Sequence, residues 1–117
     1  MNHYFRTFDN YDARDSLAGL YRPESMLTWE GRQIQGVNAV VAEFKKPELK
    51  VVRHQVGSID SQPAVSGSVV LLVTGNLAVD NDFDKPLQFS RAFNLVPIPG
   101  QPGGYFVYND VFRLVIA

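Results

Sequence analysis

Three stretches of the chain carry side chains able to do chemistry or to grip a partner. His54 lies in "LKVVRHQVGSID", and counting by two puts it on one strand face with Val52, Val56 and Asp60. A histidine and a carboxylate that share a cavity can move protons; a histidine on an apolar face is more often a packed, hydrogen-bonded side chain. The second stretch is "VDNDFDK", where Asp80, Asp82 and Asp84 alternate as a strand runs out into a turn. A calcium loop starting at Asp80 would need glycine at its sixth position and a bidentate glutamate at its twelfth, and the chain has Lys85 and Arg91 there. What remains is either a turn shaped by side-chain hydrogen bonds or an acidic rim for a basic partner. The third stretch is "SMLTWEGRQIQG", which sets the only tryptophan, Trp29, beside Glu30. Strand neighbours point to opposite faces. At the mouth of a concave sheet that arrangement gives an apolar pocket wall and a charged rim, a receiver for a large apolar side chain flanked by Lys or Arg.

Other chemistries are poorly supplied. There is no cysteine, so thiol catalysis and disulfides are excluded, and the two histidines, His3 and His54, have no metal-ligand spacing. No phosphate-cradling glycine loop or nucleophile motif is present, so neither a metal nor a cofactor nor catalysis is expected. A net charge of −1 without a basic stripe argues against direct nucleic-acid binding. The start "MNHYFRTFDN" lacks the pattern of a signal peptide and no apolar run approaches the length of a membrane span, so an address inside the cell and no membrane contact are expected.

The elements that must position these residues follow from periodicity. At 117 residues, with ordinary globular composition, the chain reads as one domain, 1–117. Tyr4, Phe5 and Phe8 recur at helical spacing in a helix that begins at or before Met1; Leu17, Leu20 and Tyr21 mark a second, short helix that Pro23 stops after Arg22. "SMLTWE" is a strand that turns through Gly31 and Arg32 into a return strand, Gln33 to Gln35. Gly36 opens a third helix carrying Val37, Val40, Val41 and Phe44. Four long strands follow Pro47, separated by turn clusters, each connection suiting an antiparallel neighbour. The expected fold class is α+β, with helices on one face of a bent sheet. The nearly continuous apolar run Val69 to Val73 predicts a strand buried on both faces, the second covered by another copy of the chain or a homologous partner.

"GLYRPESMLTWEGRQIQG", "IDSQPA", "VTGNLAVDND", "FSRAFNLVP" and "YFVYNDVFRL" together resemble the nuclear transport factor 2 family, in the same order and over nearly the whole chain. The resemblance implies an NTF2-like cone, three N-terminal helices packed on a strongly bent antiparallel sheet, and a homodimer formed through the sheet. It implies a non-catalytic carrier that binds Ran in the GDP form, meets phenylalanine-rich nucleoporin repeats, and passes between cytoplasm and nucleus through the nuclear pore. Carried over by position, it makes Trp29, Leu77, Val79, Phe89 and Phe112 the Ran-binding cavity and Glu30, Asp80 and Asp82 the acidic rim, and puts His54, Leu72 and Val111 on the dimer side. It also places Met1 inside the family's first helix, beyond an aromatic that contributes to nucleoporin binding, and sets Lys45 and Lys46 near an apolar cavity wall. The alternative within the same superfamily is a subunit or domain of an mRNA export receptor acting as a heterodimer, towards which "FSRAFNLVP" leans; Glu30, Asp80 and Asp82 together favour the carrier. An enzyme built on the same cone would need His54 or Asp60 inside the cavity.

Overall fold

The computed structural model describes residues 2–80 and 84–115; Met1, residues 81–83 and the last two residues lie outside it. Helix α1 spans Asn2–Asp9, and its Tyr4, Phe5 and Phe8 are buried. A 3-10 helix, Tyr11–Leu20, follows, and strand β1 runs Tyr21–Trp29. The helix was expected to reach Arg22, but the chain leaves it two residues sooner because Tyr21 is drawn into the core, where its hydroxyl donates to Asp110 at 2.6 Å. Pro23 therefore sits inside a strand. It is tolerated because it falls in the irregular stretch between Tyr21 and Met26, where the pairing of β1 shifts register.

Glu30 and Gly31, at φ 51° and 86°, turn β1 into β2, Arg32–Gln35. Two positive φ values suit a two-residue hairpin loop. Helix α2 spans Val37–Phe44, after which come β3, Val52–Pro63, β4, Val69–Val79, β5, Leu87–Pro97, and β6, Tyr105–Val115. The strands form one sheet in the order β2-β1-β6-β5-β4-β3, antiparallel except where β1 runs parallel to β6. Between Val56 and Ser58 the β3–β4 register slips by one residue opposite Gly75. A Cβ on Gly75 would lie 2.3 Å from the Gln55 carbonyl, so only glycine lets the strands approach this closely and bend.

The bulge has a consequence for His54 and Asp60. Before it His54 pairs with Leu77 on the buried face; after it Asp60 pairs with Leu72, which is 45 % exposed on the outer face. One extra residue flips the parity, so the two groups that would form a proton-transfer pair lie on opposite sides of the sheet. The placing of His54 on the dimer side is likewise corrected: it shares the inner face with Val52 and packs against Phe5, Phe8 and Phe89 at centroid distances of 4.8, 5.3 and 5.2 Å.

The inner face and the helices enclose the core. Arg91 on β5 and Asp110 on β6 are completely buried in it and form a two-point ion pair, Nε to Oδ1 at 2.8 Å and Nη2 to Oδ2 at 2.7 Å. Arg91 Nη2 also donates to Tyr4 Oη at 2.9 Å, and the Tyr4 and Tyr21 hydroxyls are 2.6 Å apart. The resulting ring of hydrogen bonds ties α1, β1, β5 and β6 together. Burial and the neighbouring Asp110 carboxylate push both tyrosine hydroxyls to higher pKa, so they remain protonated. Arg14, in the 3-10 helix, is also buried and donates to the carbonyls of Phe8, Phe44 and Leu49, gathering the C-terminal ends of α1 and α2.

The outer face is open. Leu72, Ala92, Val111 and Thr28 follow one another across β4, β5, β6 and β1, with Leu72 and Val111 exposed. In the single chain, the apolar run of β4 is thus buried on one side only, with Val70 and Leu72 exposed on the other.

Asp110→Asn removes one partner of a fully buried ion pair and is expected to cost about 3 to 5 kcal/mol in urea unfolding. Replacing both members, Arg91→Met with Asp110→Leu, is expected to recover part of that loss. A second expectation concerns pH. His54 Nδ1 bonds Asp9 Oδ1 at 2.6 Å, while Nε2 is buried without a partner among the described residues. Burial, only partly offset by Asp9, holds this imidazole below its usual pKa. The unfolded chain therefore takes up a proton more readily than the folded one. Stability is full above about pH 6.5, the unfolded value, and falls as pH drops through the depressed folded value. His54→Phe should flatten that part of a stability-versus-pH curve measured by urea unfolding.

Candidate functional site

The cross-strand register brings one end of the sheet together. Trp29 pairs with Phe112, Leu114 with Phe89, and Leu77 with Leu87, so the C-terminal ends of β1, β6 and β4 and the start of β5 lie side by side. Trp29 stacks on Phe112 at a centroid distance of 4.1 Å and an interplanar angle of 13°, and Phe8 continues the stack at 6.2 Å. Phe89 lies 6.3 Å from Phe112, and Phe44 meets Trp29 nearly edge-on at 5.9 Å. Leu77 joins the same buried cluster, and Val79 is half-buried opposite Val52. The residues expected to line a cavity are therefore gathered, but as packed rings: Trp29 is 6 % exposed and Phe112 2 %. Phe8 and Phe44, contributed by the helices, complete the packing.

Arg91 lies beneath these rings. Its guanidinium carbon is 5.5 Å from the Trp29 ring and 5.9 Å from that of Phe112, and four further rings lie within 5.5 Å. Asp110 and Tyr4 take Nε and Nη2, which leaves Nη1 buried and without a partner among the described residues. The sequence held a signal for this pair. Counting by two from Phe89 and Phe93 places Arg91 on the inward face of β5, and counting from Phe112 places Asp110 on the inward face of β6. Opposite charges at inward positions of neighbouring strands indicate a buried ion pair.

Two carboxylates sit at the edge of the cluster. Glu30 is exposed at the β1–β2 turn; its backbone N–H donates to the Phe112 carbonyl at 3.1 Å, and its Oε1 accepts the Leu114 N–H at 2.6 Å. Asp80 is exposed just beyond β4, and its N–H donates to the Val51 carbonyl at 2.9 Å. Both residues have positive φ, 51° and 57°, a conformation that costs a glutamate more than an aspartate. Asp82 lies outside the described residues. Lys45 and Lys46 are directed elsewhere: Lys45 lies 4.0 Å over the Tyr11 ring, and Lys46 binds Glu43 at 2.9 Å.

This end of the sheet has an apolar aromatic wall and an acidic border, with His54 part of the wall through Phe89. Among the described residues no three His, Asp or Glu side chains converge to hold a metal.

Residues 1–114 match the family model described as the nuclear transport factor 2 (NTF2) domain. The chain is 42 % identical over 114 residues to nuclear transport factor 2 of Neurospora crassa, covering 97 % of this chain and 88 % of that protein. It is 41 % identical over 115 residues to nuclear transport factor 2B of Arabidopsis thaliana, covering 97 % and 87 %. Among solved structures, nuclear transport factor 2 from Cryptosporidium parvum superposes with a TM-score of 0.86 at 38 % identity, over 97 % of this chain and 87 % of that one. The yeast UBP3-associated protein BRE5 reaches 0.83 at 18 % identity over 97 % and 89 %, a likeness of fold alone. A family match over nearly the whole chain, with relatives near 40 % identity and the same α+β cone, places this chain in the nuclear transport factor 2 domain family.

Proposed function

We propose that this protein is a nuclear transport factor that binds Ran in its GDP form and carries it into the nucleus without catalysing a reaction. The observation that carries the reading is the Trp29–Phe112 stack bordered by Glu30 and Asp80 at one end of the sheet. An aromatic side chain of the partner enters among Trp29, Leu77, Val79, Phe89 and Phe112, and neighbouring basic residues meet Glu30, Asp80 and Asp82. Because the rings are closed on one another in the free chain, binding parts them. Trp29 is the only tryptophan, so its fluorescence reports that step directly.

The outer sheet face supports a homodimer, with Leu72 and Val111 at its centre, since their exposure is a burial opportunity that a second copy satisfies. Contact with phenylalanine-rich nucleoporin repeats and passage between cytoplasm and nucleus through the pore belong to the same reading. Among the described residues no helix is long and apolar enough to cross a membrane.

Glu30→Gln keeps an oxygen that can accept the Leu114 N–H while deleting the charge, so it tests the rim without unpicking β6. Calorimetric titration with GDP-bound Ran is expected to show affinity at least about tenfold weaker, or 1.4 kcal/mol. The unaltered chain should bind the GDP form with salt-sensitive affinity and ignore a GTP-analogue complex; equal binding of both forms, or of neither, refutes the reading. For the dimer, Leu72→Glu should halve the mass seen by sedimentation equilibrium without changing the far-ultraviolet spectrum.

A further inference from the structure

A second concave surface lies away from the aromatic end. A groove of about 480 Å³ runs between the C-terminal turn of α1 and β3, lined by Arg6, Asp9, Asn10, Tyr11 and Arg53. Its charges are unevenly satisfied. Both oxygens of Asp9 are engaged by His54, Oδ2 by the backbone N–H at 2.8 Å and Oδ1 by the ring. Arg6 and Arg53 are exposed, and neither forms an ion pair with a carboxylate among the described residues. Arg6 on its own is explained by the α1 C-terminus, where a cation complements the helix dipole. Arg53 has no such explanation: it stands on the edge strand β3, opposite Ala78.

We propose that this groove docks an acidic segment of a protein partner, separately from the aromatic site. Each guanidinium is a planar fork that matches a carboxylate by two hydrogen bonds. Charge complementarity selects this occupant. Two guanidinium groups in one short groove, with Asp9 already engaged by His54, suit a few carboxylates, whereas a nucleic-acid strand needs a longer row of phosphate contacts.

The test is a nuclear magnetic resonance titration of the full chain with a capped peptide of alternating glutamate and alanine, at low and physiological salt. Amide shifts are expected at Arg6, Tyr11 and Arg53, with little change at Trp29 or Leu114. Arg6→Gln with Arg53→Gln should weaken binding by about fivefold or more, and a control of equal net charge, Arg22→Gln with Lys85→Gln, should leave it within about twofold. Both arginines are exposed, so the double variant should stay folded, its unfolding temperature lowered by no more than the loss of the α1 C-terminal cation explains. On the unaltered chain, a peptide with glutamine in place of glutamate should produce no shifts. Equal losses in the two double variants, shifts confined to the aromatic end, or tighter binding of a single-stranded oligonucleotide would each overturn the assignment.

Discussion

The buried pair of Arg91 and Asp110 is the constraint around which the rest of the molecule is arranged. Two ions out of water are costly, and the cost is met only when β1, β5 and β6 are in register and α1 is in place, because Nε, Nη2 and both carboxylate oxygens need their partners at once. A slip of β1 against β6 would remove the Tyr21 hydroxyl from Asp110, and a shift of α1 would remove Tyr4 from Arg91. Apolar packing alone tolerates such slips far better. The pair therefore acts as a register key. The same register that satisfies it sets Trp29 against Phe112 and brings Glu30 within reach of the Leu114 N–H.

That dependence explains which parts of the molecule were legible in the sequence. Periodicity located α1, α2, the hairpin at Gly31 and all four long strands, because each buries one face and its apolar residues recur at the matching interval. The motifs quoted for the family were equally legible, since they are local. What periodicity missed is what depends on another element. Tyr21 reads as the end of a helix until Asp110, 89 residues away, claims its hydroxyl. Asp60 reads as a facial neighbour of His54 until one bulged residue opposite Gly75 reverses the parity. The family resemblance, not periodicity, sets His54 with Leu72 and Val111, whereas its face, shared with Val52, is covered by Phe5 and Phe8 of α1.

The candidate site shows the same division. Trp29 with Glu30 was conspicuous because a large ring beside a charge at a strand end is unusual in a short chain. The closing of the rings was not legible, because it needs Phe8 and Phe44 from two separate helices, held there by Arg14 through three backbone carbonyls. Arg14 and Arg91 contact Phe8 from 4.5 and 5.5 Å, so the aromatic cluster contains two buried cations as well as rings. Cation–π attraction then adds to packing in keeping the cluster closed when nothing is bound.

The two described rim carboxylates share a backbone feature that links the fold to recognition. Glu30 and Asp80 each occupy a left-handed position at the end of a strand, with φ of 51° and 57°. Such conformations cost free energy for residues other than glycine and persist where surrounding bonds enforce them. Here each backbone N–H is fixed to a neighbouring strand, Glu30 to Phe112 and Asp80 to Val51. Glycine would relieve the strain at either position but would carry no charge. Aspartate is a common turn residue that tolerates this conformation, so Asp80 is accounted for by its turn, whereas Glu30, next to Trp29, is not the residue that turn formation alone selects. Its backbone N–H to Phe112 and its carboxylate to the Leu114 N–H hold the charge at a fixed place at the end of β1, which is what the proposed reading requires of a rim residue.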